Sequence, residues 1–550
     1  MKITLKPLLA ALLATPFFAQ AAPPGAGSIL QQIRPSIAPE PSSSNTGLHI
    51  EKPGGEKLPP SAPFTVKLIR ISGNTKFDTA TLHALVAESE GKSLTLAQLE
   101  ALASRITDYY HARGYPLARA IIPAQTIRDG EVLIEVIEAH YGRIDMHNGS
   151  HVNDPLLKST LSSLQSGEVI EQQPMDHALL LLSDVPGAKV SATLLPGDKV
   201  GTSDLIVQVE SGPSVSGNVA LDNYGNLYTG RARAGGTVSF IDPLHHGDVL
   251  SLSGLSSGSG MNYARASYDA LVNGNGTHMG ASFSALHYIL GDTLANLNGH
   301  GTAQVASLWA KHPLVRTRNF DLNGQIQYDR LKLLDHIDAA SIRTDRHLDN
   351  WTGSLTGDDR GYGGIDTWNL ELTSGRVVFD DAAAQLADAA TARTQGSFSK
   401  WNLNAARLQS LGKGTQLYVA LTGQWANANL DPSQQMVAGG PYTVRAYDMG
   451  SVSGDEGYLG TVELRHGLGY LRGQWQVVAF YDSEHVTVNK TVWVAGANSA
   501  TLSGGGVGLD WTGSHTWSAS AYVAARIGSA PTLVANAASS RAWVELSKGF

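Results

Sequence analysis

The chain has 550 residues, of which 59 are glycine, 18 tyrosine, 10 tryptophan and none cysteine, with a formal net charge of −8. The lack of cysteine excludes a disulfide framework, the mild acidity argues against a nucleic-acid partner, and no run of about 18 apolar residues offers a transmembrane helix. A membrane protein that crosses with strands stays open, because a closed barrel pairs every backbone edge without any helix.

The first 21 residues read as a secretory leader. Lys2 and Lys6 give a basic start, Leu8 to Phe18 form a short apolar core, and Ala19-Gln20-Ala21 fits the small-residue cleavage pattern, so a mature start at Ala22 is expected. Losing Lys2 and Lys6 takes the formal charge from −8 to −10. A short helix is expected from Ser28 to Arg34. Ser28 and Gln31 have capping-box spacing, Ile29, Leu30 and Ile33 share a face, and Pro35 ends it. From Pro35 to Pro63, with further prolines at 39, 41, 53, 59 and 60, the composition predicts an extended linker. At ~3.1 Å per residue it would reach about 85 Å, enough to thread a barrel.

Residues 64–211 alternate strand and helix patterns. Phe64 to Ile71 reads as a strand and Gly73-Asn74 as a turn. Thr95 and Gln98 cap an amphipathic helix carrying Leu99, Leu102, Ala103, Ile106 and Tyr110 on one face, with Gly114 as its stop. Strands flank the Asp129-Gly130 turn and end with Val132 to Ile137. The order then repeats more loosely: a strand at Gly142 to His147, helices near Asp154 to Leu164 and Pro174 to Ser183, and strands at Lys189 to Leu195 and Asp204 to Val209. Two small α+β units are predicted, 64–139 and 140–211.

From Gly212 to Phe550 the helical period gives way to a two-residue period. Phe320, Leu322, Gly324, Ile326 and Tyr328 alternate with Asp321, Asn323, Gln325, Gln327 and Asp329, and similar runs occupy 416–425 and 517–527. One face suits lipid and the other a wet lumen, as in a transmembrane antiparallel β-barrel; roughly 340 residues divide into about sixteen strand-plus-loop units. In the last strand Ala542, Val544, Leu546 and Phe550 face one way, while Arg541, Trp543, Glu545 and Ser547 face the other. A strand ending in Phe550 resembles the signal read by the barrel-assembly machinery.

Enzyme signals are weak. Gly254-Leu255-Ser256-Ser257-Gly258 matches G-x-S-x-G, but no helix pattern follows, so a turn is expected. Gly91-Lys92-Ser93 ends like a phosphate loop, yet Val86 stands where its first glycine belongs. Asp358, Asp359 and Asp366 cluster beside glycines without the spacing of a calcium loop and read as solvated. The 18 histidines show no zinc-binding spacing. Tyr442, Tyr447 and Tyr458 suit loop packing or a membrane girdle. No cofactor, metal or catalytic residue is expected.

Three segments carry a family resemblance. Leu221-Asp222-Asn223-Tyr224-Gly225-Asn226, followed by Thr229-Gly230-Arg231 and Asp242-Pro243-Leu244 with Gly247-Asp248, is similar to the first barrel hairpin of the two-partner secretion transporters. Gly439 to Tyr447, containing Val444-Arg445-Ala446-Tyr447, resembles the tip of that family's loop after the eleventh strand, and Phe480-Tyr481-Asp482 resembles the strand motif that receives it. Gly73-Asn74-Thr75, Tyr109-Tyr110 and Gly114-Tyr115 resemble its first polypeptide-transport-associated (POTRA) domain. The chain departs from the family at Ala446 and at Glu484, where glycine is usual.

The resemblance implies two periplasmic POTRA domains before an outer-membrane barrel, with export of a large unfolded exoprotein to the cell surface. It implies an inward loop held by Arg445 on Asp482, with Val444, Ala446, Tyr447 and Phe480 around the pair. It also implies a plug formed by the Ser28 helix and transport powered by client folding outside. Alternation independently puts Asp482 in the lumen, where a carboxylate needs a partner. The POTRA sheets offer edges to which an extended client can add a strand. Two rivals are distinguishable. An outer-membrane protein insertase of the same superfamily usually has more POTRA units and no proline-rich linker. A passive porin needs neither POTRA domains nor an inward loop. A surface adhesin is disfavoured by the long segment before the barrel.

Overall fold

The computed structural model describes residues 23–33, 41–50, 61–469, 473–534 and 537–550. The expected leader with Lys2, Lys6, its 8–18 core and the Ala19–Ala21 site, together with Arg34 and linker positions 35–40 and 51–60, lies outside the described residues.

The first α+β unit has Glu131–Ile137 as its central strand, parallel to Leu68–Ser72 and antiparallel to Arg119–Ile121. The expected strand from Phe64 to Ile71 is divided into Phe64–Thr65 and Leu68–Ser72. Its chain changes partners there: the Val66 N–H donates to the Lys92 carbonyl and the Lys67 N–H to that of Gly130. Helix Leu96–His111 starts on the complete Thr95–Gln98 capping box. Its stripe of Leu99, Leu102, Ala103, Ile106 and Tyr110 is buried against Val132 and Ile134 of the sheet.

Glu138, just past the central strand, ties this unit together. Its carboxylate accepts from the N–H groups of Thr75 and Lys76, both at 2.8 Å, from the Thr75 hydroxyl, and from Tyr110 Oη at 2.7 Å. Burial disfavours its charge, but these hydrogen bonds outweigh burial and hold the carboxyl below its ordinary pKa. Burial and the same carboxylate push the Tyr110 phenol up.

The second unit repeats the strand order. Thr202–Ser211 is central, parallel to His140–Gly149 and antiparallel to Ala188–Pro196, with helices Asp154–Thr160 and Gln172–Ser183 over one face. Leu157, Leu179, Leu182, Leu205 and Val207 lie in its core. This sheet has a fourth strand. Leu48–Ile50 pairs parallel to Ala188–Pro196, so this part of the expected extended linker is a strand of the sheet. Only three residues pair, too few for a strand pattern to show in the sequence.

Sixteen antiparallel strands form a closed barrel, from Val215–Asp222 to Ser540–Gly549, and those two strands pair to close it. The alternation sorts as expected. Ile326, Val477, Tyr481, Val523 and Val544 are exposed on the outer wall, whereas Asp321, Asp329, Phe480, Asp482 and Trp543 are buried inside. Phe550 sits at the closing seam, where its N–H donates to the Gly217 carbonyl and its own carbonyl accepts from the Gly217 N–H, both at 3.0 Å.

A helix, Ala26–Ile33, lies within the barrel with Ile29 and Leu30 buried against Leu286, Val305, Leu331 and Leu348 of the inner wall. It starts two residues before the expected Ser28, and the predicted Ser28–Gln31 capping box is replaced. Ser28 Oγ instead bonds the N–H and carbonyl of Gly25, and the Ala26 N–H donates to the Asp335 carboxylate at 2.6 Å. A barrel wall residue caps the helix, which no local spacing reveals. Asp335 is near the end of strand Phe320–Ile337 farthest from the α+β units, while Ser42 reaches Asp321 at the near end of that strand. The start of the Ala26–Ile33 helix therefore lies toward the far end of that strand and Ser42 at the end nearest the α+β units.

Candidate functional site

The long connection between barrel strands Thr415–Ala426 and Glu456–Gly467 folds into the lumen. Met436–Ala438 pairs antiparallel with Val452–Gly454 and makes a stiff stem. Gly439 and Gly440 then turn the chain at φ of +88° and +126°, in the region that glycine adopts without strain. At the tip, Val444, Arg445, Ala446 and Tyr447 are all buried.

Arg445 meets the strand that carries Phe480 and Asp482. Its Nε and Nη2 donate to the two Asp482 oxygens at 2.8 and 2.7 Å, a bidentate pair that fixes orientation as well as distance. Nη1 reaches Glu463 at 2.7 Å, and the guanidinium lies 3.4 Å from the centroid of the Phe480 ring. Thr461 donates to Asp482 at 3.1 Å, while Arg465 pairs with the second Glu463 oxygen at 2.6 Å. Two guanidinium groups thus face two carboxylates in one network. Trp543 of the last strand donates through Nε1 to the Arg445 carbonyl at 2.7 Å.

Glu463, Thr461 and Trp543 were not singled out from the sequence. Alternation puts each on the lumenal face of its strand, but which lumenal residues meet depends on barrel register. The loop also reaches the closing seam. Arg231 and Arg541 both pair with Asp448, and Asn226 donates to the Met449 carbonyl at 3.0 Å.

Both departures from the resemblance are buried beside the loop. Ala446 does not occupy a left-handed backbone conformation, and its methyl rests on Gly504 of a neighbouring strand. Glu484 is fully buried next to the loop, with the Gly439 N–H and the Thr443 hydroxyl as its polar neighbours. We have no physical account of why a carboxyl stands there.

The lumenal helix is held by the same loop. Gln31 donates to the Ser433 carbonyl, and Gln32 accepts from Asn226 at 3.0 Å. A Cβ at Gly27 would lie 2.7 Å from Ser433 N, so the helix and loop are in backbone contact. At its start, Asp335 also accepts from Tyr288 at 2.6 Å and Arg346 at 2.7 Å, and Arg346 also pairs with Asp431. A cavity of about 430 Å³ remains between helix, loop and wall, lined by polar residues that include Gln327, Asn350, Asn402 and Gln424.

The aspartates expected in a solvated loop sit instead in strands. Asp358 is buried and accepts from the Ser42 N–H at 2.9 Å, and Asp366 pairs with Arg407. Glycine neighbours suggested a loop, but here they lie at strand ends. Gly254–Gly258 runs from strand Asp248–Ser256 into a turn before strand Met261–Leu271, which is not the strand-to-helix geometry of a nucleophile elbow. Tyr442 packs edge-on to Tyr224, Tyr447 is buried and Tyr458 faces outward.

Comparisons with known proteins agree with this architecture. The family model described as haemolysin secretion/activation protein ShlB/FhaC/HecB matches residues 201–511, and the ShlB-type POTRA domain model matches residues 64–139. The heme/hemopexin transporter protein HuxB of Haemophilus influenzae strain 86-028NP is 27% identical over 505 residues, covering 89% of this chain and 87% of that one. The outer membrane transporter CdiB of Escherichia coli is 24% identical over 470 residues, covering 80% and 77%. Among solved structures, Escherichia coli CdiB superposes with a TM-score of 0.69 at 23% identity over 96% of each chain, and Acinetobacter baumannii CdiB with 0.60 at 18% over 95% and 96%. The chain belongs to the ShlB/FhaC/HecB haemolysin secretion/activation family, outer-membrane β-barrel transporters of two-partner secretion whose POTRA domains lie in the periplasm.

Proposed function

We propose that this chain captures an unfolded exoprotein through its POTRA domains and passes it along the barrel lumen to the cell surface. The observation that carries the reading is the pairing of a removable obstruction with a polar passage. The Ala26–Ile33 helix occupies the lumen, and the wall side of the cavity beside it is mostly amides and hydroxyls, with Asp329, Glu371 and Lys400 among them, a polar surface on which a polypeptide can slide. Arg445, Asp482 and Phe480 hold the loop inward, with Val444, Ala446 and Tyr447 packed at its tip. Ser28, Ile29, Leu30 and Ile33 belong to the plug. Its client is a large secreted protein with an N-terminal secretion segment, and no catalytic step, metal or cofactor takes part. The outward apolar face, including Ile326 and Val544, contacts lipid, and the last strand with Phe550 is the segment that the assembly machinery receives.

The test is export of the largest secreted protein encoded beside this chain. Without the chain the exoprotein should stay in the periplasm or be degraded, and complementation should return it to the medium. Unchanged export, with a loss of small-solute uptake instead, would favour a passive pore and discard the client.

A further inference from the structure

One sector of the outer wall carries basic side chains just above its lipid belt. On the neighbouring strands Phe320–Ile337, Ile342–Gly361 and Gly364–Phe379, Leu331, Leu333, Leu348 and Val377 pack inside the barrel. The two-residue period therefore turns Arg330, Lys332, Asp349 and Arg376 outward. The lower part of the same face is apolar, with Ile326, Leu355, Leu372 and Trp401 exposed. Between the two zones Tyr328 and Trp351 lie opposite each other with ring centroids 5.1 Å apart. Such aromatic pairs settle at the membrane–water boundary. With the POTRA domains in the periplasm, this boundary belongs to the outer leaflet. A rise of ~3.4 Å per residue and a strand tilt of ~40° put Arg330 about 5 Å and Lys332 about 10 Å above Tyr328, within or just beyond the headgroup layer.

The register forms these residues into a patch. Arg330, Asp349 and Arg376 make a row across the three strands, and Lys332 stands one rung farther out. Asp349 is engaged already: it accepts from Tyr328 Oη at 2.6 Å and lies 3.7 Å from Arg330. The carboxylates above it, Asp345 and Asp380, are taken up by His336 and His347 at 3.2 and 2.8 Å. Lys332 and Arg376 are exposed and, among the described residues, have no hydrogen-bond or ion-pair partner. The periplasmic rim differs, because Arg407 there faces outward but is paired with Asp366 and Gln409. Among the described residues, no other barrel strand turns a lysine or arginine outward in the half away from the POTRA domains.

We infer that Arg330, Lys332 and Arg376 seat a phosphorylated glycolipid of the outer leaflet. Its acyl chains lie along Ile326, Leu355, Leu372 and Trp401, and its phosphates take the free donors of the three basic groups. The charges are complementary, since the patch holds uncompensated positive charge at the depth where that lipid carries its phosphates. Guanidinium groups can hold phosphate oxygens in pairs, and the lysine adds a point charge.

The probe is bisphosphorylated lipid A, added to the purified full-length protein in a non-ionic detergent and counted on the intact protein by native mass spectrometry. Wild type should bind it at least tenfold more tightly than the triple variant Arg330→Gln, Lys332→Gln, Arg376→Gln, whose fold is checked by heat-modifiable migration. Arg407→Gln, at the other rim, should bind like wild type. Equal binding by the triple variant overturns the site. Two arms need no variant. Raising the salt should weaken binding to wild type, because exposed charges are screened. Lipid A stripped of both phosphates should bind at least tenfold more weakly; equal binding of the stripped lipid means that acyl chains alone hold it, and overturns the phosphate seat. Phosphatidylglycerol is the comparison for lipid source. If it binds as tightly and is lost with the same substitutions, the patch takes any anionic lipid and its assignment to the outer-leaflet glycolipid fails.

Discussion

Arg445→Lys tests the inward loop without removing its charge. The arginine makes two side-chain bonds to Asp482, one to Glu463, and a stacking contact with Phe480. A lysine ammonium is a point charge that keeps one of the three bonds and loses the planar stack. Hydrogen bonds to charged groups contribute roughly 1.5–3 kcal/mol each, and breaking a buried pair costs about 3–5 kcal/mol. A net loss of about 3 kcal/mol from the loop-in state is expected, which raises the released population ~100-fold. Hydrogen exchange reads this directly: amides of residues 439–450 should lose about two orders of magnitude of protection while strand amides keep theirs. Export of the exoprotein should fall in parallel. The double swap Arg445→Asp with Asp482→Arg should not rescue either signal, because the new carboxylate at position 445 would face Glu463. Unchanged loop protection in the lysine variant, or full rescue by the swap, would refute the reasoning.

Three further outcomes follow from other parts of the molecule. Glu138 has a lowered pKa in the folded first POTRA domain, so its contribution is present above the ordinary carboxylate range and is lost as pH falls through the folded value. Protease resistance of that domain should therefore drop on acidification, and Glu138→Gln should flatten this response and lower stability at neutral pH by about 1–3 kcal/mol. Asp335→Ala removes the acceptor shared by the Ala26 N–H, Tyr288 and Arg346, so the lumenal helix should leave more often, seen as longer open events in planar-bilayer recordings. Ile326→Arg places a charge on the lipid face and should destabilise the barrel by about 2–4 kcal/mol if the residue lies at mid-membrane, measured by urea unfolding in vesicles.

The alternation of residues 320–329 made the barrel legible, because a strand with one wet and one lipid face must write that difference into every second residue. The stripe Leu99, Leu102, Ala103, Ile106 and Tyr110 did the same for the helix of the first POTRA domain. Contacts between distant segments were less legible. Glu463 completes the Arg445 network only because two neighbouring strands place it beside Asp482, and Trp543 reaches the loop only because the last strand closes on the first. The Asp335 cap arises 309 positions from the helix it serves. Leu48–Ile50 carried no strand signal in a proline-rich stretch, because its pairing is dictated by an edge elsewhere. Asp358 was misread for a similar reason: glycine neighbours looked like a loop until the strand register buried it against Ser42.

Passage of the client through the lumen is tested most directly by neighbouring wall positions that face opposite ways. Gln327 borders the lumenal cavity and Ile326 faces outward. Each is replaced by cysteine in turn, carries a photo-reactive group, and is illuminated while a client stalled in export occupies the transporter. The account predicts adducts from Gln327→Cys and none from Ile326→Cys. Adducts from the outer position alone, or from neither while export continues, would contradict it.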